Sequence, residues 1–342
     1  MNAVINRARN GLVAVALLLS PALASAQYDK TPEGQTFIRE MAERYGFPAS
    51  RVEALLASAE RKDSILEAIS RPAEKTLEWH QYRKIFIRKE RIDQGVEFLR
   101  QYGEAFERAE DEYGVPASVI AAIIGVETWY GTYKGKHRVL DALATLAFDY
   151  PPRSRFFRSE LAQYLLMTRE QGFDPEELTG SYAGAMGYGQ FISSSYRHYA
   201  IDFDGDGVVD ILDNPVDAIG SVANYFRAHH WKEGEPVAEK VQDSLPEGST
   251  LLTRELKPDL TVNDYRQAGL KPGADVAGDA KARAIRLAGA DGAELWLTYH
   301  NFYVITRYNH SHLYAMAVFQ LAEALREQAR LPEKQNGVSN NS

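Results

Sequence analysis

One carboxylate in this chain falls where a carboxylate is costly. Pro116 suits the first turn of a helix, and residues 117–131 continue as ASVIAAIIGVETWYG. Ile120, Ile123, Ile124 and Glu127 stand at i, i+3, i+4 and i+7, which places Glu127 on the apolar stripe of that helix. Loss of hydration there favours the uncharged form. A glutamic acid still protonated near neutral pH can give its proton to a leaving oxygen, so this is how a general acid is made. A lone glutamate in such a place more often turns outward or pairs with a buried arginine, and the periodicity alone does not establish catalysis.

A second segment, SYAGAMGYGQFISSSY at 181–196, carries three glycines in a short span, at 184, 187 and 189. Glycine permits positive φ and lets another backbone or a ligand come close. Ser181, Tyr188 and Gln190 could then offer hydrogen bonds to a sugar, with Gln190 and Phe191 opening a helix. The plainer reading is a tight loop between two helices.

A third segment, DFDGDGVVDILD at 202–213, has the spacing of an EF-hand loop. Carboxylates occupy its first, third, fifth, ninth and last positions, glycine its sixth and an apolar residue its eighth. Asp202, Asp204, Asp206 and the Val208 carbonyl are the expected ligands of one structural Ca2+, closed by Asp213 where a longer glutamate is usual. The alternative is an acidic surface loop. A single such loop suits a structural role, fixing the segment between Gln190 and Tyr225.

The elements that must position these groups are mostly helical. From Pro32 to about Leu146 apolar residues recur at helical spacing: Phe37, Met41 and Tyr45; Val52, Leu55 and Leu56; Val96, Leu99 and Phe106. Further helices are expected over Phe156–Gln171, Pro215–His230 and Ser311–Arg330. Residues 234–293 are rich in Gly, Pro and Asp with short apolar runs, and read as a small β-rich insertion. The run LWLTYHNFYVI at 295–305 fits a buried strand or the start of the last helix equally well.

The N-terminus has Arg7 and Arg9, an apolar run over Leu12–Leu23 and Ala24-Ser25-Ala26, the order of a secretory signal peptide with Gln27 as the first mature residue. Its apolar run is shorter than the roughly 20 residues that span a bilayer. With no cysteine anywhere, neither a lipid-modified cysteine nor a disulfide is available. The expectation is a soluble periplasmic protein without a membrane anchor. Removal of the two arginines with the signal takes the formal net charge from -8 to about -10, which argues against nucleic acid as the partner.

GVETWYG at 125–131 and SYAGAMGYGQF at 181–191 together closely resemble the lytic transglycosylase B family. SRPAEKT at 70–76 with Trp79, Tyr82 and Phe86 resembles its N-terminal region, and YNHS at 308–311 with YAMAV at 314–318 its C-terminal block. The resemblance implies a mainly α fold: a lysozyme-like helical core, an additional helical domain and a small β-rich inserted domain. The boundaries expected are a signal peptide at 1–26, a helical domain at 27–100, the core at 101–233 with its metal loop at 202–213, the insertion at 234–293, the rest of the core at 294–330 and a flexible tail at 331–342.

The same resemblance implies cleavage of the β-1,4 bond between N-acetylmuramic acid and N-acetylglucosamine in peptidoglycan, leaving a 1,6-anhydromuramoyl end. Glu127 would act first as acid and then as base. Ser181 and Gln190 match positions near the acetyl-sugar. Tyr225, Tyr308, Asn309 and Tyr314 match groove positions, and Arg153 falls where the family meets the stem peptide. The partners implied are glycan strands, stem peptides and other cell-wall enzymes.

Two other readings stay open on residue chemistry alone. A hydrolysing muramidase needs a second carboxylate, for which Asp141 and Asp149 are the nearest candidates after Glu127. A calcium-stabilised wall-binding protein needs no catalysis at all. Trp79 and Trp129 serve a core as readily as a sugar platform, Arg153 and Arg155 could be a solvated basic turn, and the eight histidines show no metal spacing.

Overall fold

The computed structural model describes residues 27–331 except 71–76, 243–244, 247, 253–254 and 274. The expected signal segment, residues 71–76 of the N-terminal motif and the tail beyond Leu331 lie outside the described residues.

The apolar periodicities become a succession of short helices. α1 (Pro32–Tyr45) opens on Thr31, whose hydroxyl accepts the Gly34 N–H, and closes on Gly46 at φ 66°. α2 (Ala49–Ser58), α3 (Asp63–Ser70), α4 (Trp79–Phe86), α5 (Lys89–Gln101) and α6 (Gly103–Tyr113) follow, each burying one face, as Val52, Leu55 and Leu56 do in α2.

α7 (Ala117–Thr128) departs from the single apolar stripe expected of it. Every residue of α7 except Glu127 is buried, because α5, α6 and two later helices, α11 (Pro215–Ala228) and α14 (His312–Ala329), pack around it. A helix that is apolar all round is a central helix. Glu127 therefore reaches the surface through its place in the last turn, not through a polar face.

Between them run α8 (Val139–Asp149), α9 (Ser154–Gln171) and α10 (Ser193–Tyr199). α8 packs along α9, and α9 against α10. A two-stranded antiparallel pair, β1 (His137–Arg138) with β2 (Thr179–Gly180), ties the segment after α7 to the glycine-rich loop.

The stretch after α11 forms an antiparallel sheet in the order β3-β6-β5-β4: β3 (Ala238–Val241), β4 (Leu260–Thr261), β5 (Lys281–Gly289) and β6 (Gly292–Thr298). α12 (Val262–Gln267) lies between β4 and β5 and opens on a Thr261–Asp264 capping box. Strand alternation divides the side chains between two cores. Ile285, Leu287 and Trp296 join the large helical core. Ala282, Ala284, Leu295 and Leu297 face a smaller one with Val262 and Tyr265.

The run 295–305 turns out to be both of its alternatives in succession: β6 ends at Thr298 and α13 (His300–Tyr308) starts two residues later. α13 then packs on α14, and α14 on α4, α5 and α7. Tyr28, before α1, is pinned to the end of α8 by its hydroxyl on Asp149 and its ring on Phe148.

Candidate active site

α7 stops abruptly. Trp129 and Tyr130, at φ 51° and 56°, are both left-handed, and Gly131 follows at 87°. Their N–H groups turn back to the carbonyls of Gly125 and Ile124, which satisfies the helix end. The Thr128 hydroxyl accepts the Gly131 N–H and lies 2.9 Å from the Tyr188 carbonyl. Only glycine fits at 131, since a Cβ there would stand 2.2 Å from the Tyr188 ring. The GVETWYG motif is thus a stop and a dock for the glycine-rich loop.

Glu127 is half-buried in that last turn. The Tyr314 hydroxyl of α14 donates to Glu127 Oε1 at 2.6 Å. Burial first, and the Glu127 charge second, push the Tyr314 phenol well above its ordinary pKa, so it remains a donor at any working pH. Tyr308, at the end of α13, stacks on Tyr314 with ring centroids 6.5 Å apart and gives its own hydroxyl to the Gly189 carbonyl at 2.6 Å. Its pKa is raised by the same two causes in the same order. Behind it Tyr225 is buried and donates to the Arg307 carbonyl at 2.7 Å, so its hydroxyl bridges α11 to α13.

The glycine-rich loop is a turn, as its plainer reading held. Met186 and Phe191 exchange both backbone hydrogen bonds, and α10 begins only at Ser193. Gln190 and Phe191 therefore do not open a helix. Ser181 Oγ accepts the N–H groups of Ala183 and Ala185 and keeps its own proton. Gln190, at φ 50°, gives both amide hydrogens to backbone carbonyls, those of Lys134 at 3.1 Å and Gly187 at 3.0 Å. The reverse amide orientation would set oxygen against two oxygens. Gln190 therefore presents Oε1, an acceptor, to whatever lies in front of it.

Asn309 follows α13 in extended backbone, its carbonyl accepting the Ser311 N–H. Arg153 is exposed in the 3-10 turn Pro151–Arg153, with its guanidinium 4.3 Å from the Phe156 ring centroid. With Pro152, Arg155 and Phe156 it lines an open concavity of about 480 Å³. Trp129 is half-exposed, one face covered by the Arg91 guanidinium at 4.2 Å, whereas Trp79 is core.

The candidates for a second carboxylate are both occupied elsewhere. Buried Asp141 Oδ1 accepts two bonds from Arg138 and the Glu60 N–H. Asp149 takes Tyr28 and, at 3.1 Å, Arg61. Their partners belong to the segments around α1–α3 and β1, not to the Glu127–Tyr314–Tyr308 cluster.

The acidic loop wraps as expected, with Gly205 and Gly207 at φ 80° and 95°. At its end the geometry departs from the twelve-residue pattern. Asp213 is 81% exposed and paired with Lys134, whereas carboxylate oxygens of Asp202, Asp204 and Asp217 lie within 4.8 Å of one another. Asp217, in the first turn of α11, is buried and accepts the N–H groups of Phe203, Asp204 and Asp210. Asn214 caps α11 and Pro215 opens it, so Asp217 stands four residues past position twelve of the loop. An all-oxygen set with a buried carboxylate fits a hard divalent ion. Lys134 was likewise not singled out from sequence: its Nζ reaches the Leu212 carbonyl at 2.6 Å as well as Asp213. No local pattern marks a lysine bonded across 78 residues.

A half-buried glutamate held by a tyrosine stands at the end of the central helix of this mainly helical, lysozyme-like fold. The Transglycosylase SLT domain family profile matches residues 29–323, and the chain belongs to that family of lytic transglycosylases. It is 44% identical over 307 residues to the membrane-bound lytic murein transglycosylase B of Escherichia coli K12, covering 87% of this chain and 84% of the relative.

Among solved structures, catenated SltB1 from Pseudomonas aeruginosa aligns at TM-score 0.84 and 49% identity over 88% of this chain and 99% of that one. Escherichia coli Slt35 in complex with calcium aligns at 0.81 and 44%, over 88% and 95%. Pseudomonas aeruginosa SltB3 in complex with NAG-anhNAM-pentapeptide aligns at 0.76 and 30%, over 89% and 82%.

Proposed function

We propose that this enzyme acts on peptidoglycan, cutting the β-1,4 bond between N-acetylmuramic acid and N-acetylglucosamine and closing a 1,6-anhydro ring, with Glu127 as acid and then base. The observation that carries this reading is the Tyr314–Glu127 hydrogen bond at 2.6 Å on the last turn of a buried helix. Glu127 in its acid form gives a proton to the glycosidic oxygen as the bond to the anomeric carbon breaks. The acetamido oxygen of the muramoyl residue covers that carbon from the opposite face. Glu127, now a carboxylate, takes the proton of the muramoyl 6-hydroxyl, whose oxygen attacks the anomeric carbon and releases the acetamido group. Glu127 ends protonated, and no water is consumed.

An internal nucleophile needs no second carboxylate, which agrees with the occupation of Asp141 by Arg138 and Asp149 by Arg61. Gln190 Oε1 suits an acetamido N–H or a hydroxyl, and the Ser181 proton suits an acetamido oxygen. Tyr308, Tyr225 and Asn309 shape the groove; Tyr225 does so as scaffold, since its hydroxyl serves the Arg307 backbone. Arg153 and its concavity offer a positive, partly apolar seat for a stem peptide. SltB3, solved with a glycan-pentapeptide, supports this substrate class.

In the acidic loop, Asp202, Asp204, Asp206, the Val208 carbonyl and Asp217 would hold one Ca2+, which supplies positive charge that lets these oxygens approach one another. No helix among the described residues is long and apolar enough to cross a membrane, and the basic, apolar, small-residue order of the first 26 residues supports export to the periplasm.

Mass spectrometry of digested sacculi tests the reaction. The expected muropeptides are lighter by one water than hydrolysis products, and Glu127→Gln lowers their release by about a thousandfold, within the range of general acid–base catalysis. Reducing ends would establish a muramidase instead. Undiminished binding with no release from either protein would establish a wall-binding module.

A further inference from the structure

We propose that Lys134 is a positioning residue, the tie that fixes the Gly187–Gln190 turn of the active site to the acidic loop at 202–213. The inference deepens the reading above and rests on it for the reaction, though the tie itself is a matter of contacts.

Lys134 belongs to neither segment and touches both. Its Nζ, on a side chain 28% exposed, donates to the Leu212 carbonyl at 2.6 Å and to the Asp213 carboxylate at 2.5 Å. The same ammonium lies 5.0 Å from the Tyr188 ring centroid. Its own carbonyl accepts one of the two hydrogens that orient the Gln190 amide. A parallel backbone contact, the Tyr188 N–H on the Ile211 carbonyl at 3.1 Å, joins the same two segments. Gly187 lies so close to Ile211 that a Cβ would stand 2.3 Å from its carbonyl oxygen.

From this turn the path to Glu127 is short. The Gly189 carbonyl receives Tyr308, and the Tyr188 carbonyl lies against Thr128, the residue after Glu127. An exposed Lys–Asp pair by itself contributes little. What distinguishes Lys134 is that one residue holds the end of the acidic loop by its ammonium and the Gln190 amide by its carbonyl. Small displacements of a positioning group cost rate far more than they cost binding. The chemistry therefore should depend on Lys134 more than stability does.

The test compares wild type, Lys134→Met and Lys134→Arg. Three quantities are read: kcat and KM on a defined glycan, calcium binding by calorimetry, and amide hydrogen exchange at residues 187–190 with calcium or chelator. The expected result is a roughly tenfold fall in kcat for Lys134→Met with KM within about twofold, a scale set by positioning effects. Exchange at 187–190 should rise in Lys134→Met and respond less to calcium than in wild type. Arginine, which can reach both oxygens, should restore most of kcat and of the protection.

Wild-type kcat and wild-type protection at 187–190 in Lys134→Met would overturn the proposal. So would equal losses in methionine and arginine variants with a matching fall in thermal stability, which would make Lys134 merely structural. If wild type binds no calcium, the metal reading fails on its own, and the exchange and kcat comparisons still decide the role of Lys134.

Discussion

At the residue scale, the Glu127–Tyr314 pair is the most exposed to test. Tyr314 is buried, and its phenol is held in the protonated form by desolvation and then by the neighbouring carboxylate. Phenylalanine keeps the ring and its stacking on Tyr308 while removing the donor. Hydrogen bonds to charged groups contribute about 1.5–3 kcal/mol, so Tyr314→Phe should lower kcat by roughly ten- to a hundredfold, at about 1.4 kcal/mol per factor of ten. Its melting temperature should stay within a few degrees of wild type. A kcat unchanged in steady-state assays would mean that the hydroxyl does not orient the acid.

Glu127 itself was legible in the sequence as a carboxylate on an otherwise apolar helix, although the reason inferred for it, one apolar stripe, gives way to burial on all sides. The partners of the tyrosines were not legible. That Tyr225 serves the Arg307 carbonyl and Tyr308 the Gly189 carbonyl follows from how α11, α13 and the glycine turn meet, which no local spacing encodes.

At the element scale, the acidic loop shows where a motif's spacing stops being informative. The pattern at 202–213 locates the loop and its glycines, yet α11 begins at Pro215, and the carboxylate that joins Asp202 and Asp204 is Asp217, from the first turn of that helix. Asp213 instead faces Lys134. Calcium should therefore raise the melting temperature of the wild type and of Asp213→Asn alike, by about 2.7 kcal/mol of stability at a hundredfold excess over Kd. Asp217→Asn should lose most of that increment, and should also be less stable without metal, because its amide hydrogens would meet the N–H groups now bound to Asp217. Differential scanning calorimetry with and without chelator separates the two variants. A response abolished in Asp213→Asn and intact in Asp217→Asn would restore the simple twelve-residue loop. The strand–helix boundary at Tyr299 teaches the same lesson: residues 295–305 are mostly apolar or aromatic on both sides of it, and the pairing of β6 with β3 and β5 decides where the strand ends.

At the scale of the whole molecule, groups on separate elements respond differently to acid. His137, His229 and His312 lie respectively in β1, at the end of α11 and at the start of α14, and burial, reinforced by neighbouring positive charge, lowers the pKa of each below the ordinary 6.5. The unfolded chain then binds protons that the folded chain refuses, so stability falls as pH drops through about 6.5. His229 stacks on Tyr225 at 4.1 Å, and its burial outweighs the opposing effect of the Nδ1 contact, 2.8 Å, with the Tyr225 carbonyl. A second window lies lower. Glu60 beside Lys62 and Asp264 on the Thr261 N–H are held below their ordinary values of 4.5 and 3.8, and their contribution is present above those values and lost as pH falls beneath them. Melting temperature at fixed calcium should therefore decline gently between about pH 7 and 5, then more steeply below about pH 4.5. His229→Gln should flatten the upper part of that curve and leave the lower part unchanged. A melting temperature constant from pH 7.5 to 5.5 in wild type would show that these histidines are protonated as easily folded as unfolded.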